Sequence, residues 1–144
     1  MLKYNPVFVS VLAILTLASG CGSTPPAGLP SVRASLGQEF SLSVTQRAEI
    51  TGEDLAVIFN DVTEDSRCPK DVVCVWEGRV VCNLTVQKAG ASSELVLNQP
   101  GLTASPTIQE YQGYQYSFGV EPYPQAGKNI AKGDYRLVIS ISRK

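Results

Sequence analysis

The stretch Arg79-Val80-Val81-Cys82-Asn83-Leu84-Thr85-Val86-Gln87 places an apolar side chain at every even position. A period of two puts those side chains on one face of an extended chain, so the stretch predicts a half-buried β-strand. A short loop at residues 88–91 leads to a second extended segment at 93–98. The two segments are predicted to form a β-hairpin, the first element of an all-β fold.

Further strands are predicted on both sides of this hairpin. Residues 40–44, 114–120 and 135–141 alternate in the same way, 47–50 continues the first of these beyond a bend, and 55–59 is apolar on both faces, which suits a central strand. We therefore predict a single antiparallel β-sandwich, or a small barrel, of six to seven strands spanning residues 37–144.

The composition of the chain argues against several classes of function. The net charge is −1 and there is no basic run, which argues against a nucleic-acid partner. The chain has no histidine, which removes the usual general base and the commonest zinc ligand. We expect a protein that is not an enzyme, with no catalytic residues, metal site or cofactor.

The N-terminus has the features of an export signal. Lys3 precedes a 12-residue apolar run, Val7 to Ala18, which is too short for a membrane-spanning helix. The run ends in Leu17-Ala18-Ser19-Gly20-Cys21, which resembles the lipobox of bacterial lipoprotein precursors, although alanine stands at 18 where leucine is most frequent. The resemblance implies a signal peptide at residues 1–20 and two acyl chains on Cys21.

That anchor implies attachment to a membrane of the bacterial cell envelope. In a cell with two membranes, Gly22 after the cysteine resembles the signal for the outer membrane. The alternative, in which Cys21 is an ordinary thiol and cleavage occurs nearby, stays open. Residues 21–36 are rich in proline, glycine and serine and predict a flexible tether.

Two cysteines six residues apart, Cys68 and Cys74, bracket Pro69. In an exported chain they predict a disulfide that closes a small loop. A pairing of Cys74 with Cys82 stays open, because spacing alone does not decide connectivity. If Cys82 is unpaired, its place on the apolar face of its strand predicts a buried, inert thiol rather than a reactive one.

The same segment carries a second resemblance. It reads Asp65-Ser66-Arg67-Cys68-Pro69, then Cys74-Val75-Trp76-Glu77-Gly78. It is similar to a group of small exported bacterial proteins, many of them lipoproteins, that share an Asp-Ser-Arg-Cys-Pro segment followed by Cys-x-Trp-x-Gly. The layout matches over most of residues 38–142, which supports the all-β prediction. The group has no assigned biochemical activity, so the resemblance implies no catalytic residues.

The disulfide-closed loop is the candidate site, with Arg67, Pro69, Lys70 and Trp76 as candidate recognition residues for an envelope protein or a glycan. For Trp76 the favoured expectation is packing over the disulfide, with an exposed binding anchor as the alternative. A protease inhibitor that presents Arg67 to Lys70 as a substrate mimic is a second functional hypothesis. A purely structural envelope protein is the third.

Two further features have ordinary and functional interpretations. The acids around the loop, Asp61, Glu64, Asp65 and Asp71, are expected to be solvated, with Asp65 pairing with Arg67, and a calcium site is the alternative. Two aromatic residues outside the strand alternation, Tyr111 and Tyr123, are the candidates for exposure and for stacking on sugar rings.

Overall fold

The computed structural model describes residues 30–101 and 106–144. The predicted signal peptide, Cys21 and most of the predicted tether lie outside this part of the chain. The described residues contain nine β-strands and one short 3-10 turn at Lys132–Asp134. The strands are β1 (Val32–Ala34), β2 (Glu39–Ser43), β3 (Arg47–Ile50), β4 (Leu55–Asp65), β5 (Arg79–Lys88), β6 (Ala91–Pro100), β7 (Thr107–Tyr111), β8 (Tyr114–Glu121) and β9 (Arg136–Arg143).

The strands form two sheets that pack face to face. One sheet has the order β1-β3-β4-β5-β6, and the other has the order β2-β9-β8-β7. All neighbouring pairs are antiparallel except β1 and β3, which are parallel. The sheets are separate and open at their edges, so the fold is the predicted β-sandwich rather than a closed barrel.

The predicted hairpin is β5 and β6, paired from Arg79 with Pro100 to Lys88 with Ala91. Ala89 and Gly90 connect the strands and both have positive φ, 49° and 77°. Two consecutive residues of this kind form the tight turn whose twist matches that of the flanking strands. The apolar strand at 55–59 is part of β4, which lies at the centre of its sheet as predicted.

The core lies between the sheets and follows the period-two pattern. The even positions from Val80 to Val86 are fully buried in β5. Tyr116, Phe118 and Val120 of β8 face them from the other sheet, together with alternate residues of β9. Each strand contributes one face to the same apolar layer, which explains why alternation in the sequence predicted the strands.

Three details differ from the sequence-based predictions. The tether was predicted to extend to residue 36, but Val32–Ala34 is a strand and Ala34 is buried, so the sandwich begins earlier than residue 37. Strand β7 was missed because its apolar Ile108 points outward. Strand β4 continues to Asp65 through two register shifts, between Phe59 and Asp61 and between Val62 and Glu64, and such bulges interrupt the alternation.

Candidate functional site

The candidate site is the connection between β4 and β5, residues 66–78, which we call the stapled loop. Cys68 and Cys74 are joined by a disulfide with a Cα–Cα distance of 5.9 Å, as predicted. Cys68 is buried and Cys74 is exposed, so the bridge ties the outer part of the loop to its buried base. Because the ring is small, its main effect is on the shape of the loop rather than on the stability of the sandwich.

Arg67 anchors the base of the stapled loop. Its guanidinium donates to both carboxylate oxygens of Asp65, at 2.8 and 2.7 Å, and to the carbonyl oxygens of Val120 at 2.7 Å and Pro122 at 3.1 Å. It also lies 4.9 Å from the centre of the Tyr123 ring. The predicted pairing of Asp65 with Arg67 is confirmed. The prediction of Arg67 as a recognition residue is wrong, because only 4% of the residue is exposed.

The buried charges of Arg67 and Asp65 are stabilised because the two side chains form an ion pair and make further hydrogen bonds. The side chains of Arg67 and Asp65 are 2% and 8% exposed, and the hydroxyl of Tyr135 donates a third side-chain hydrogen bond to Asp65, at 3.1 Å. Burial, followed by the negative charge of Asp65, raises the pKa of Tyr135 to about 12. The tyrosine therefore keeps its proton and remains a donor at any physiological pH.

Backbone contacts hold the loop against the segment that follows β8. The amide of Lys70 donates to the carbonyl of Pro124 at 3.1 Å, and the amide of Ala126 donates to a carboxylate oxygen of Asp71 at 2.8 Å. Asp71 was predicted to be solvated; it is exposed, but it also caps this neighbouring segment. These contacts give the loop a second support besides Arg67.

Two glycines allow the base of the loop to close. At Gly78, with φ of 68°, a Cβ atom would lie 1.8 Å from the carbonyl oxygen of Ser66. At Gly101, just after β6, a Cβ would lie 1.9 Å from the carbonyl oxygen of Glu77. The amide of Gly101 donates to the carbonyl of Gly78 at 2.9 Å. The backbone segments at the loop base and at the end of β6 therefore lie too close together for a side chain at Gly78 or Gly101.

The outer part of the loop is apolar and exposed. We call Val72, Val73, Val75 and Trp76 the tip. Val73 and Val75 are 102% and 91% exposed, Trp76 is 82% exposed, and Val72 is 45% exposed. The expectation that Trp76 packs over the disulfide is therefore wrong, and the alternative of an exposed side chain is correct. Four large apolar side chains exposed within five residues of a fixed loop are typical of a binding surface.

Of the other predicted recognition residues, Lys70 is exposed and Pro69 is half-buried beside the disulfide. The three valines of the tip were missed by sequence reasoning. The sequence feature that could have indicated them is an apolar run in a segment bounded by cysteine, proline and glycine. This run does not follow the alternation of a strand, so burial of one strand face does not explain it. The partners of Arg67 at the end of β8 left no local signal, since they are more than fifty residues away.

Three of the four acids near the loop are paired with bases, and the fourth, Asp71, accepts the bond from Ala126 described above. Asp61 bonds Lys132 at 2.9 Å, and Glu64 bonds Arg79 at 2.9 Å. Hydrogen bonds from Arg79 lower the pKa of Glu64. Within residues 30–101 and 106–144, no group of three or more histidine, cysteine, aspartate or glutamate side chains is placed to hold a metal ion.

Cys82 is a free thiol in the core, as predicted. It is completely buried on β5, and burial raises its pKa to about 12, against a smaller opposing effect of the Arg67 charge. The alternative pairing with Cys74 is excluded by the Cys68–Cys74 bridge. The aromatic candidates for sugar stacking, Tyr111 and Tyr123, are both half-buried, and the guanidinium of Arg67 covers one face of Tyr123.

In comparisons with known proteins, no protein-family model, curated protein or solved structure matches the chain. In the described part of the molecule, no helix is long and apolar enough to cross a membrane.

Proposed function

We propose that this chain is an envelope lipoprotein, anchored through acylated Cys21, whose β-sandwich serves as a non-enzymatic binding module. Its binding element is the tip of the stapled loop. One observation carries the proposal: Val73, Val75 and Trp76 are almost fully exposed on a loop whose base is held by a disulfide and a buried ion pair. A fixed loop loses little conformational entropy on binding, which favours affinity.

The chemistry of the tip favours an apolar counterpart over a glycan. Valine side chains offer sugar hydroxyls no hydrogen bonds, and the two tyrosines proposed for stacking are half-buried. In a cell envelope, apolar counterparts are the bilayer and apolar patches on other proteins. A protein partner is the second candidate, since an exposed tryptophan on a rigid support is typical of protein-binding hot spots.

The inhibitor alternative loses its main residue. A protease that required Arg67 in its specificity pocket would have to extract a side chain that makes four hydrogen bonds. Two of these go to Asp65, one to the carbonyl of Val120 and one to the carbonyl of Pro122. Removing one partner from a buried ion pair costs about 3–5 kcal/mol. Exposed Lys70 is left as the basic residue that an inhibitor could present.

Site-specific photo-crosslinking in the native host tests the binding element. A benzophenone amino acid placed at fully exposed Val73 should crosslink to lipid or to a defined protein. The same group at Ile108, which is 63% exposed on β7, is the matched control and should not give that product. Absence of any specific product at position 73 would contradict the binding role and favour a purely structural protein.

A second experiment tests the disulfide. Replacing both Cys68 and Cys74 with serine should cost only ~2 kcal/mol of stability, because the ring they close is small. The sandwich should stay folded while crosslinking from position 73 weakens, since the tip loses its fixed shape. Unchanged crosslinking in a folded double variant would show that the disulfide does not support binding.

A further inference from the structure

The direction in which the chain joins the sandwich relates the N-terminus to the tip. Strand β1 runs parallel to β3, with Val32 level with Ala48, and β3 is antiparallel to β4, with Arg47 level with Ile58. The carbonyl of Pro30 accepts a hydrogen bond from the side chain of Gln46 at 2.9 Å. The chain therefore arrives from the end of the sheet toward which β4 runs, and that end carries the stapled loop.

The distance from the level of Pro30 to the stapled loop is comparable with the reach of the chain between Cys21 and Pro30. Beyond the level of Pro30, β4 continues from about Phe59 to Asp65, roughly 15–20 Å at the rise of a bulged strand. The base of the stapled loop continues in this direction, because backbone hydrogen bonds from Ser66 to Arg79 and from Cys68 to Glu77 extend the β4–β5 pairing. On the other side, the nine Cα–Cα steps between Cys21 and Pro30 can span at most about 30 Å. An anchor at Cys21 thus keeps the loop-bearing end within reach of the bilayer surface.

We propose that the tip of the stapled loop inserts into the interfacial region of the bilayer that holds the lipid anchor. This inference rests on the proposed acylation of Cys21. Trp76 has the side chain that is enriched at membrane interfaces, and the valines supply apolar area on either side of it. The lipid chains and the tip then form two points of attachment that fix the orientation of the sandwich.

The charges beside the tip indicate how the contact is made. Lys70, Asp71 and Glu77 are all exposed and carry both signs. A surface of mixed charge has no strong attraction for anionic headgroups. Insertion is therefore driven by apolar contact, and it should occur in zwitterionic phosphatidylcholine and persist at high salt.

Trp76 is the sole tryptophan of the chain, so its fluorescence reports on the tip alone. The mature lipidated protein is purified, its acylation is verified by mass spectrometry, and it is reconstituted into phosphatidylcholine vesicles. Insertion to a depth of about 5–10 Å predicts that brominated acyl chains reduce the emission roughly twofold or more. Aqueous iodide should quench the emission weakly.

The matched variants are Val73→Asp with Val75→Asp, against Ile108→Asp. All three positions are exposed, so none of the substitutions disturbs the core. The double variant should lose the bromine quenching and become accessible to iodide, whereas Ile108→Asp should behave as the unsubstituted protein.

The outcomes separate the two proposals. A mature protein without acyl chains would contradict the proposed function and this inference together. An acylated protein whose Trp76 stays open to iodide and insensitive to brominated lipid would overturn the inference while leaving the anchor intact. The same holds if position 73 crosslinks to a protein and not to lipid in the host.

Discussion

Arg67 carries its charge inward, where it joins parts of the chain that are distant in sequence. Its contacts with Asp65, Val120, Pro122 and Tyr123 hold the base of the stapled loop against the end of β8. The arginine in the Asp-Ser-Arg-Cys-Pro segment therefore positions the loop, and the side chains exposed to solvent are those of the tip. The fork of donors on a guanidinium suits this role better than a lysine ammonium would.

Replacing Arg67 with alanine should destabilise the protein by about 3–5 kcal/mol, because Asp65 would remain buried without its partner. Urea unfolding at pH 7 measures the change. The matched control is Arg79→Ala, which breaks the exposed pair with Glu64 and should cost at most ~1 kcal/mol. Equal effects of the two substitutions would contradict the anchoring role of Arg67.

Alkylation of Cys82 tests whether the core is closed to reagents in the folded protein. Its pKa of about 12 keeps the thiol protonated at pH 8, and its burial excludes reagents. We expect no alkylation of Cys82 by iodoacetamide in the folded protein and complete alkylation in concentrated urea, measured by mass spectrometry. Rapid labelling under native conditions would mean that β5 opens or that the thiol lies at the surface.

At the scale of elements, the stapled loop depends on close backbone approach between its two ends. The amide of Cys68 donates to the carbonyl of Glu77 at 3.0 Å, and that of Ser66 donates to the carbonyl of Arg79 at 2.8 Å. Gly78 lies between these bonds with a positive φ. The base of the loop is therefore an extension of the β4–β5 pairing.

Substitution of Gly78 by alanine tests this closure. The added Cβ would lie 1.8 Å from the Ser66 carbonyl oxygen, so the backbone must shift. The loss of stability should exceed the ~1–2 kcal/mol that the left-handed conformation alone costs an alanine. Gly127→Ala is the control: its φ is 71° and nothing lies within 4 Å of the added atom, so it should show only the conformational cost. Thermal unfolding of both variants separates the cost of the steric clash at Gly78 from the cost of the left-handed backbone conformation.

At the scale of the whole molecule, Glu53 links the two sheets at the end opposite the stapled loop. It follows β3 in one sheet and accepts hydrogen bonds from Tyr114 of β8 at 2.7 Å and from Arg143 of β9 at 2.7 and 3.1 Å in the other. The bond from Tyr114, and then that from Arg143, lower the pKa of Glu53 below its usual value of 4.5. The ionised form is therefore favoured in the folded protein.

This linkage predicts a pH dependence. A carboxyl whose pKa is lowered by folding contributes stability that is fully present above its unfolded pKa, near 4.5 here, and is lost as the pH falls through the lower folded value. Glu53→Gln should therefore be less stable than the unsubstituted protein at pH 7, and the difference should shrink toward pH 3. Urea midpoints across this range measure it, with exposed Glu94→Gln as the control. A difference that does not change with pH would contradict the linkage.

Most of the sandwich could be predicted from the sequence because its strands obey a local rule. Alternation in β2, β5, β8 and β9 shows in the sequence which side chains face the core, and a period of two needs no knowledge of distant residues. Strand β7 and the far end of β4 escaped this rule. An edge strand with an outward Ile108 and a strand interrupted by bulges both break the period.

The all-β class and the main hairpin could be predicted from the sequence, since each follows from the pattern of a short segment. The sequence favoured a Cys68–Cys74 bridge and a buried Cys82 thiol, but the structure was needed to exclude a pairing of Cys74 with Cys82. Which residues of the stapled loop face outward depends on the tertiary structure. Arg67 is buried because Asp65 and two carbonyls at the end of β8 meet it there, whereas Trp76, on the outer part of the same loop, is 82% exposed. Burial of a loop residue depends on what the rest of the chain brings next to it, and a local pattern does not contain that information.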